Sequence, residues 1–251
     1  MKTIDLNCDM GESYGAWKMG ADAQVMPFVT SANIACGFHA GDPATIRRTV
    51  RLAVDQGVAV GAHPSLPDLQ GFGRRNMRIT PEELYDLVVY QAGAVEAFAR
   101  AAGVRLHHVK CHGALYNMAA NDEALSEACA RAVRDIGRDV LLYALEGSRM
   151  MACASKQGVR AVGEGFVDRG YEDDGTLAAR DRPGALIEDP SKAVAQALAM
   201  IEEGRVTSLG GKQVPVRPGT LCLHGDQPGA AQFARALRET FQSHAIEVKA
   251  P

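Results

Sequence analysis

Strand-length apolar runs alternate with helix-length amphipathic segments about seven times along this 251-residue chain. That alternation constrains the fold more than any other feature. Runs rich in Val, Ile, Leu and Ala near 3–9, 32–38, 58–63, 104–111, 140–145, 160–166 and 220–224 predict strands. Helical patterns fill most of the intervals, over 43–56, 80–103, 121–136, 147–157, 190–203 and 228–243. Two helices carry clear punctuation. The first has Asp42 as N-cap, Pro43 at its first position and Gly57 just past its end. The longest starts from Thr80 and Pro81 and stops at Gly103, with Leu84, Leu87, Val88, Val95 and Phe98 at helical spacing. Strand then helix, repeated, implies parallel strands with helices outside. At this length a closed or nearly closed β/α barrel is the leading architecture, with an open doubly wound sheet as the alternative. No GxGxxG or GxxxxGK[ST] supports the open sheet. No Pro/Gly/Ser-rich linker or charge block divides the chain, so residues 1–251 read as one domain.

Composition narrows the function classes. Hydrophobic residues at 47% and charged residues at 23% exclude a wholly disordered chain. The 27 Lys and Arg against 30 Asp and Glu offer no basic excess for a nucleic-acid backbone. No apolar run is long enough to span a bilayer, and MKTIDLNCDMGE lacks the apolar core of a signal peptide. The expectation is a cytoplasmic protein without nucleic-acid or membrane partners. Cys8, Cys36, Cys111, Cys129, Cys153 and Cys222 include no CxxC pair and read as small buried hydrophobes.

The strands carry a second signal. Side chains alternate between the two faces of a strand. In the first strand Ile4, Leu6 and Cys8 share one face while Asp5, Asn7 and Asp9 share the other. Asn33, Ala35, Gly37 and His39 share a face in the second, and Ala59, Gly61 and His63 in the third. His108, Lys110 and His112 line up in the fourth, Glu164 and Asp168 in the sixth, and Cys222, His224 and Asp226 in the last. These polar groups gather at the C-terminal ends of the strands, where parallel α/β proteins bind ligands. A single member, such as Asp5, is well explained by a satisfied core hydrogen bond. The whole set is not, because each buried ionisable group needs a partner.

Four loop segments sharpen the pattern. SANIACGFHAGDP at 31–43 sets a His and an Asp around a Gly-rich turn entering a helix, a natural anion-binding spot; Asp42 itself has the position of a cap. GAHPSLPDLQGFGRR at 61–75 ends in Arg74 and Arg75, which read either as solvated surface or as a bidentate clamp for a carboxylate or phosphate. HVKCHGALYN at 108–117 offers Lys110, His112, Tyr116 and Asn117. EGFVDRGYEDDGTLAAR at 164–180 offers Glu164, Asp168, Arg169, Tyr171, Asp174 and Arg180. Asp9, His39, His63, His112 and His224 have the chemistry of metal ligands, but no HExxH or CxxC supports a metal, and its presence stays open. GxSxG is absent. A general acid/base site of carboxylates, histidines and a lysine fits the inventory best.

DLNCDMGE at 5–12, NIACGFHAGDP at 33–43, GAHPSLPD at 61–68, GFGRR at 71–75, HGALYN at 112–117, DRGYEDDG at 168–175, RPGALI at 182–187 and LHGDQP at 223–228 closely resemble the LamB/YcsF family. The resemblance spans about residues 3–248. It implies a seven-stranded β/α (TIM-like) barrel related to glycoside hydrolase/deacetylase barrels. It also implies the A-subunit role in ATP-dependent opening of 5-oxo-L-proline to L-glutamate, with ADP and phosphate released, in a complex with B and C subunits. ATP is then a co-substrate bound with or by those partners, because this chain shows no phosphate-binding motif. Two readings from other classes stay open: a metal-dependent deacetylase-like hydrolase acting alone, and a non-catalytic subunit that binds a small acid. Where the family usually has proline before the His of HGALYN, this chain has Cys111; by parity it faces away from the site and reads as a packing variant. The candidate catalytic set is Asp9, His39, His63, Lys110, His112, Glu164, Asp168 and His224. Asp9 and His63 are expected as base or water-positioning groups, with Glu164, Asp168 and His224 orienting them or serving as the acid. Lys110 and His112, with Arg74 and Arg75, are expected to hold the substrate carboxylate or a developing anion. Asn7, Tyr116, Asn117, Arg169 and Asp226 complete the substrate-binding candidates.

Overall fold

The computed structural model describes residues 2–225 and 229–251. Its first half runs β1 (Lys2–Met10), α1 (Asp22–Val25), β2 (Ser31–Ala35), α2 (Pro43–Asp55), β3 (Ala59–His63), α3 (Pro81–Ala101), β4 (His108–Lys110), α4 (Gly113–Asn121) and α5 (Glu123–Ile136). The second half runs β5 (Leu141–Leu145), α6 (Arg149–Lys156), β6 (Ala161–Phe166), α7 (Pro190–Leu198), β7 (Arg205–Thr207), β8 (Gln213–Pro215), β9 (Thr220–His224), α8 (Ala230–Ser243) and β10 (Ile246–Val248).

β1, β2, β3, β4, β5, β6 and β9 pair in that order, all parallel. β1 also pairs with β9, which closes the ring and excludes the open sheet. Seven parallel strands therefore form the barrel, with the helices outside it. The caps behave as their residue types dictate. The Asp42 carboxylate accepts from the Ala44 and Thr45 amides, and Gly57 and Gly103 take left-handed φ of 67° and 84° after α2 and α3. At α3, Thr80 and Glu83 form a reciprocal capping box. Leu84, Val88 and Val95 of α3 are fully buried, with Leu87 and Phe98 packed beside them. Burial of each such side chain is worth about 1.5–3 kcal/mol.

The structure departs from the sequence reading in several places. The fourth strand pairs only over His108–Lys110, because α4 begins at Gly113 directly after the strand end. α4 had no expected counterpart, since a glycine opens it. The expected helix over 190–203 ends in a wider turn over Ala199–Glu203, stopped by Gly204 at φ 69°. The antiparallel pair β7–β8 and the short β10, which adds to the start of β1, were not expected. Among the described residues no helix is long and apolar enough to cross a membrane.

Candidate active site

The alternation of β1 sets the barrel interior. Asp5, Asn7 and Asp9 point inward and form a column of polar layers. At the bottom, Asp5 accepts hydrogen bonds from the hydroxyls of Thr30 (2.6 Å), Ser31 (2.9 Å) and Thr220 (2.6 Å). Burial pushes the Asp5 carboxyl up and these hydroxyls oppose the shift. Asp5 is therefore structural. His108 lies over Gly61, where a Cβ would fall 2.1 Å from its Nε2. Its ring stacks on Tyr143 with centroids 4.0 Å apart, and its Nε2 sits 2.7 Å from Asn33 Oδ1.

The middle layer centres on Lys110, which is 2% exposed. Its Nζ lies 3.0 Å from Asp9 Oδ1, 2.8 Å from Glu164 Oε1, 3.2 Å from Asn7 Oδ1 and 3.1 Å from Cys222 Sγ. Burial alone would discharge this amine. The neighbouring Asp9, Cys222 and Glu164 outweigh it and hold the ammonium well above its usual range. Tyr116 donates its hydroxyl to Glu164 Oε2 at 2.7 Å. Asn7 and Asn33 complete the layer: Asn7 donates to Thr220 at 2.7 Å, and Asn33 donates to Asn7 Oδ1 at 2.7 Å and Asp9 Oδ1 at 2.8 Å.

The top layer opens into a cavity of about 400 Å³ at the C-terminal ends of the strands. Asp9, His63, Lys110, His112 and His224 line its floor; Arg74, Tyr116, Asn117, Arg169 and Arg180 line its walls. Burial would raise the Asp9 carboxyl, but His63 and Lys110 hold it well below the usual carboxylate range. Asp9 Oδ2 sits 3.3 Å from His63 Nε2. His63 Nδ1 faces the Lys110 carbonyl at 2.8 Å, and His112 Nε2 faces the Phe72 carbonyl at 2.8 Å. Phe72 and Gly73 both have left-handed backbones, φ 55° and 64°. Positive φ at a phenylalanine costs energy and persists only where the surrounding structure enforces it; here it aims a carbonyl at a catalytic candidate. Burial lowers His39 and His112, with neighbouring histidine charge adding to the effect, so both rings are neutral at ordinary pH. They stack with centroids 3.8 Å apart.

On the opposite wall, Arg180 Nη2 lies 3.0 Å from His224 Nε2. A guanidinium only donates, so Nε2 accepts and Nδ1 donates to Asp168 Oδ2 at 2.7 Å. Asp168 thus orients His224 from outside the cavity lining. Arg169 is buried, donates Nε to Ala185 O at 3.2 Å and Nη2 to Ala178 O at 2.5 Å, and burial pushes its guanidinium down to about 10. It shapes the wall as well as facing the cavity.

Most sequence candidates thus converge on one site, in different positions. Asn7 and Glu164 lie beneath the cavity, supporting Asp9 and Lys110. His39 sits behind His112. Arg74 reaches the cavity, but Arg75 turns back onto Asp68, with Nε 3.0 and 3.1 Å from its two oxygens, and leaves its side chain largely exposed. The expected clamp therefore reduces to Arg74. Asp226 lies outside the described residues. The sequence reading missed Asn33, Cys222 and Glu12 as site members. Parity had already put Asn33 and Cys222 on the inner face, and Glu12 stood in the quoted DMGE run. Cys111 Sγ lies 3.5 Å from Cys129 Sγ, on the helix side of β4, as its parity predicts.

The LamB/YcsF family model matches residues 4–251. The chain belongs to the LamB/YcsF family. It is 57% identical over 247 residues to a protein from Bordetella parapertussis named as the A-subunit of 5-oxoprolinase, covering 98% of each chain. It is 54% identical over 250 residues to the protein of that name from Tolumonas auensis, covering 100% of both. The crystal structure of a lactam utilization protein from Thermus thermophilus superposes with a TM-score of 0.94 at 49% identity, with 100% of each chain covered. A structure described as a putative cellobiose-phosphate cleavage protein from Enterococcus faecalis shares the fold, at a TM-score of 0.55 and 14% identity, over 98% of this chain and 96% of that one.

Proposed function

We propose that this chain is the ring-opening component of an ATP-dependent 5-oxoprolinase, converting 5-oxo-L-proline to L-glutamate together with B and C subunits. One observation carries the reading: at the floor of a cavity walled by Arg74, Arg169 and Arg180, a single carboxylate, Asp9, meets both a buried ammonium and an imidazole. The relatives named for the 5-oxoprolinase A-subunit add support through their full-length similarity.

The chemistry follows from the substrate. A lactam is a poor electrophile near neutral pH. Transfer of the ATP γ-phosphoryl group to the lactam oxygen turns that oxygen into a leaving group. Water then adds to the ring carbon and loses a proton to Asp9, which Asn33, Lys110 and His63 hold in place. The C–N bond opens with proton delivery to nitrogen, leaving an acyl phosphate of glutamate, and a second water cleaves that acyl phosphate to release glutamate and phosphate. Lys110 counters the negative charge that develops next to Asp9. Arg74 is suited to the substrate carboxylate, and Arg180 with His224 faces it across the cavity. No phosphate-cradling glycine loop marks this chain, so phosphorylation is assigned to the partner subunits.

The test is glutamate release from 5-oxoproline and ATP by the chain alone and with B and C subunits. The reading requires negligible ATP hydrolysis by the isolated chain and 5-oxoproline-dependent glutamate formation in the complex. Robust ATPase activity of the isolated chain would overturn the division of labour. A reconstituted complex without glutamate formation would overturn the substrate assignment.

A further inference from the structure

Proton counting around the histidines leaves an imbalance. The carbonyls of Lys110 and Phe72 only accept, so His63 Nδ1 and His112 Nε2 must carry hydrogens. Each ring, when neutral, then presents a bare nitrogen. These two, His63 Nε2 and His112 Nδ1, face each other at 3.0 Å. Two lone pairs at that distance repel unless a cation sits between or beside them. His39 adds a second anomaly. It is 1% exposed, yet neither ring nitrogen has a hydrogen-bond partner among the described residues. The Glu12 carboxylate, itself buried, reaches toward the same point. Its Oε1 is 3.7 Å from His39 Nε2 and 4.0 Å from His112 Nδ1.

We propose that Glu12, His39, His63 and His112 form a binding site for one divalent transition-metal ion of the zinc class. One donor atom from each lies within 4.8 Å of the others. Tetrahedral zinc bonds of about 2.0–2.1 Å call for donor separations of roughly 3.3 Å. The contacts of 3.0, 3.7 and 4.0 Å bracket that value; the His39 ring, stacked parallel on His112, turns out of that stack to bring its lone pair to the same point. Three imidazoles and one carboxylate suit zinc or a neighbouring transition ion, and are poor ligands for magnesium or calcium. The two backbone carbonyls that hold His63 and His112 are the outer hydrogen bonds that fix metal-ligating imidazoles elsewhere. Charge also matches, since a dication would lie against the carboxylates of Glu12 and Asp9. A proton shared by His63 and His112 relieves their repulsion but leaves His39 unsatisfied.

This site shares His63 with the ring-opening reading, but its test needs no turnover. The full chain is stripped with a chelator, dialysed, and titrated with Zn²⁺ by calorimetry and with Co²⁺ for its visible spectrum. The expected result is saturable uptake of one equivalent, with Co²⁺ bands typical of a nitrogen-rich, low-coordinate site. Glu12→Gln and His39→Gln, checked for folding by circular dichroism, should weaken binding by about 10–100-fold or more. His244→Gln removes an exposed histidine on Glu202 and should leave stoichiometry and affinity unchanged. Absence of one-equivalent uptake by the folded parent overturns the proposal in favour of the shared proton. Unchanged affinity in both folded site variants overturns it as well, placing the ion elsewhere.

Discussion

Lys110→Met isolates what the buried ammonium does. Met fills a similar volume without charge, so packing is nearly conserved. The substitution leaves Asp9 and Glu164, both buried, without the cation that lies 3.0 and 2.8 Å from them. It also removes donors from Asn7 Oδ1 and Cys222 Sγ. Breaking a buried ion pair by deleting one partner costs about 3–5 kcal/mol, because the remaining charge has lost its compensation. At this chain length about 1 kcal/mol corresponds to roughly 2–4 °C in Tm, so a fall of about 6–20 °C is expected. Lys110→Met/Glu164→Gln removes one negative charge together with the positive one. It should be more stable than the sum of the two single effects by about 0.5–3 kcal/mol, the usual scale for directly coupled groups. Thermal and urea unfolding followed by circular dichroism, for the parent, both singles and the double, complete the cycle. If Lys110→Met unfolds within about 0.5 kcal/mol of the parent, or the cycle shows no coupling, the ammonium does not compensate these carboxylates and the account of the middle layer is wrong.

Asp9→Asn should cut glutamate formation by the reconstituted complex about 100-fold or more while the chain remains folded; unchanged turnover would remove Asp9 from the mechanism. Arg74→Lys should raise the apparent KM for 5-oxoproline about 10-fold, the loss of one charged hydrogen bond, whereas Arg75→Lys should leave KM unchanged, because Arg75 is committed to Asp68; steady-state kinetics compare the two. Gly61→Ala should destabilise the chain by at least about 1–3 kcal/mol, since the new methyl lands on the His108 ring, and urea unfolding measures it. Backbone amide bonds from Gly15 and the first turn of α2 hold the Asp42 carboxyl down to about 2. A folded value below the unfolded one stabilises above the unfolded value, near 4, and that contribution disappears as pH falls from about 4 to 2. Asp42→Asn should therefore flatten the acid limb of the stability profile over that window, read by urea midpoints at several pH values.

Much of this architecture was legible because strands have a period of two. Asp5, Asn7 and Asp9 could face only one side of β1, and so could His108 and Lys110 on β4. Helix ends were legible where side chains cap them, as at Asp42 and Thr80. The parts that escaped depend on geometry beyond local pattern. α4 opens on a glycine and follows a strand without a capping side chain. β10 is three residues long and exists because the edge of β1 can accept it. Arg74 and Arg75 are adjacent and chemically identical, yet Asp68 captures only one, through a turn that no periodicity encodes. Glu12 lies past the end of β1, where strand parity no longer applies. His39 reaches the site from the loop beyond β2.

The closing pair β1–β9 has a consequence for biosynthesis. Asn7 and Asp5 bond Thr220 across 213 and 215 positions of sequence. A nascent chain can pair β1 with β2 and β2 with β3 early, but the second edge of β1 and the Thr220 bonds of its inner face wait until the last barrel strand leaves the ribosome. Contacts this distant in sequence are slow to form, and half-built barrels expose unpaired strand edges. A chain truncated anywhere before Thr220 would therefore lose more than its last strand. It would hold Asp5 and Asn7 without their Thr220 bonds, making it a substrate for quality-control proteolysis rather than a smaller working barrel.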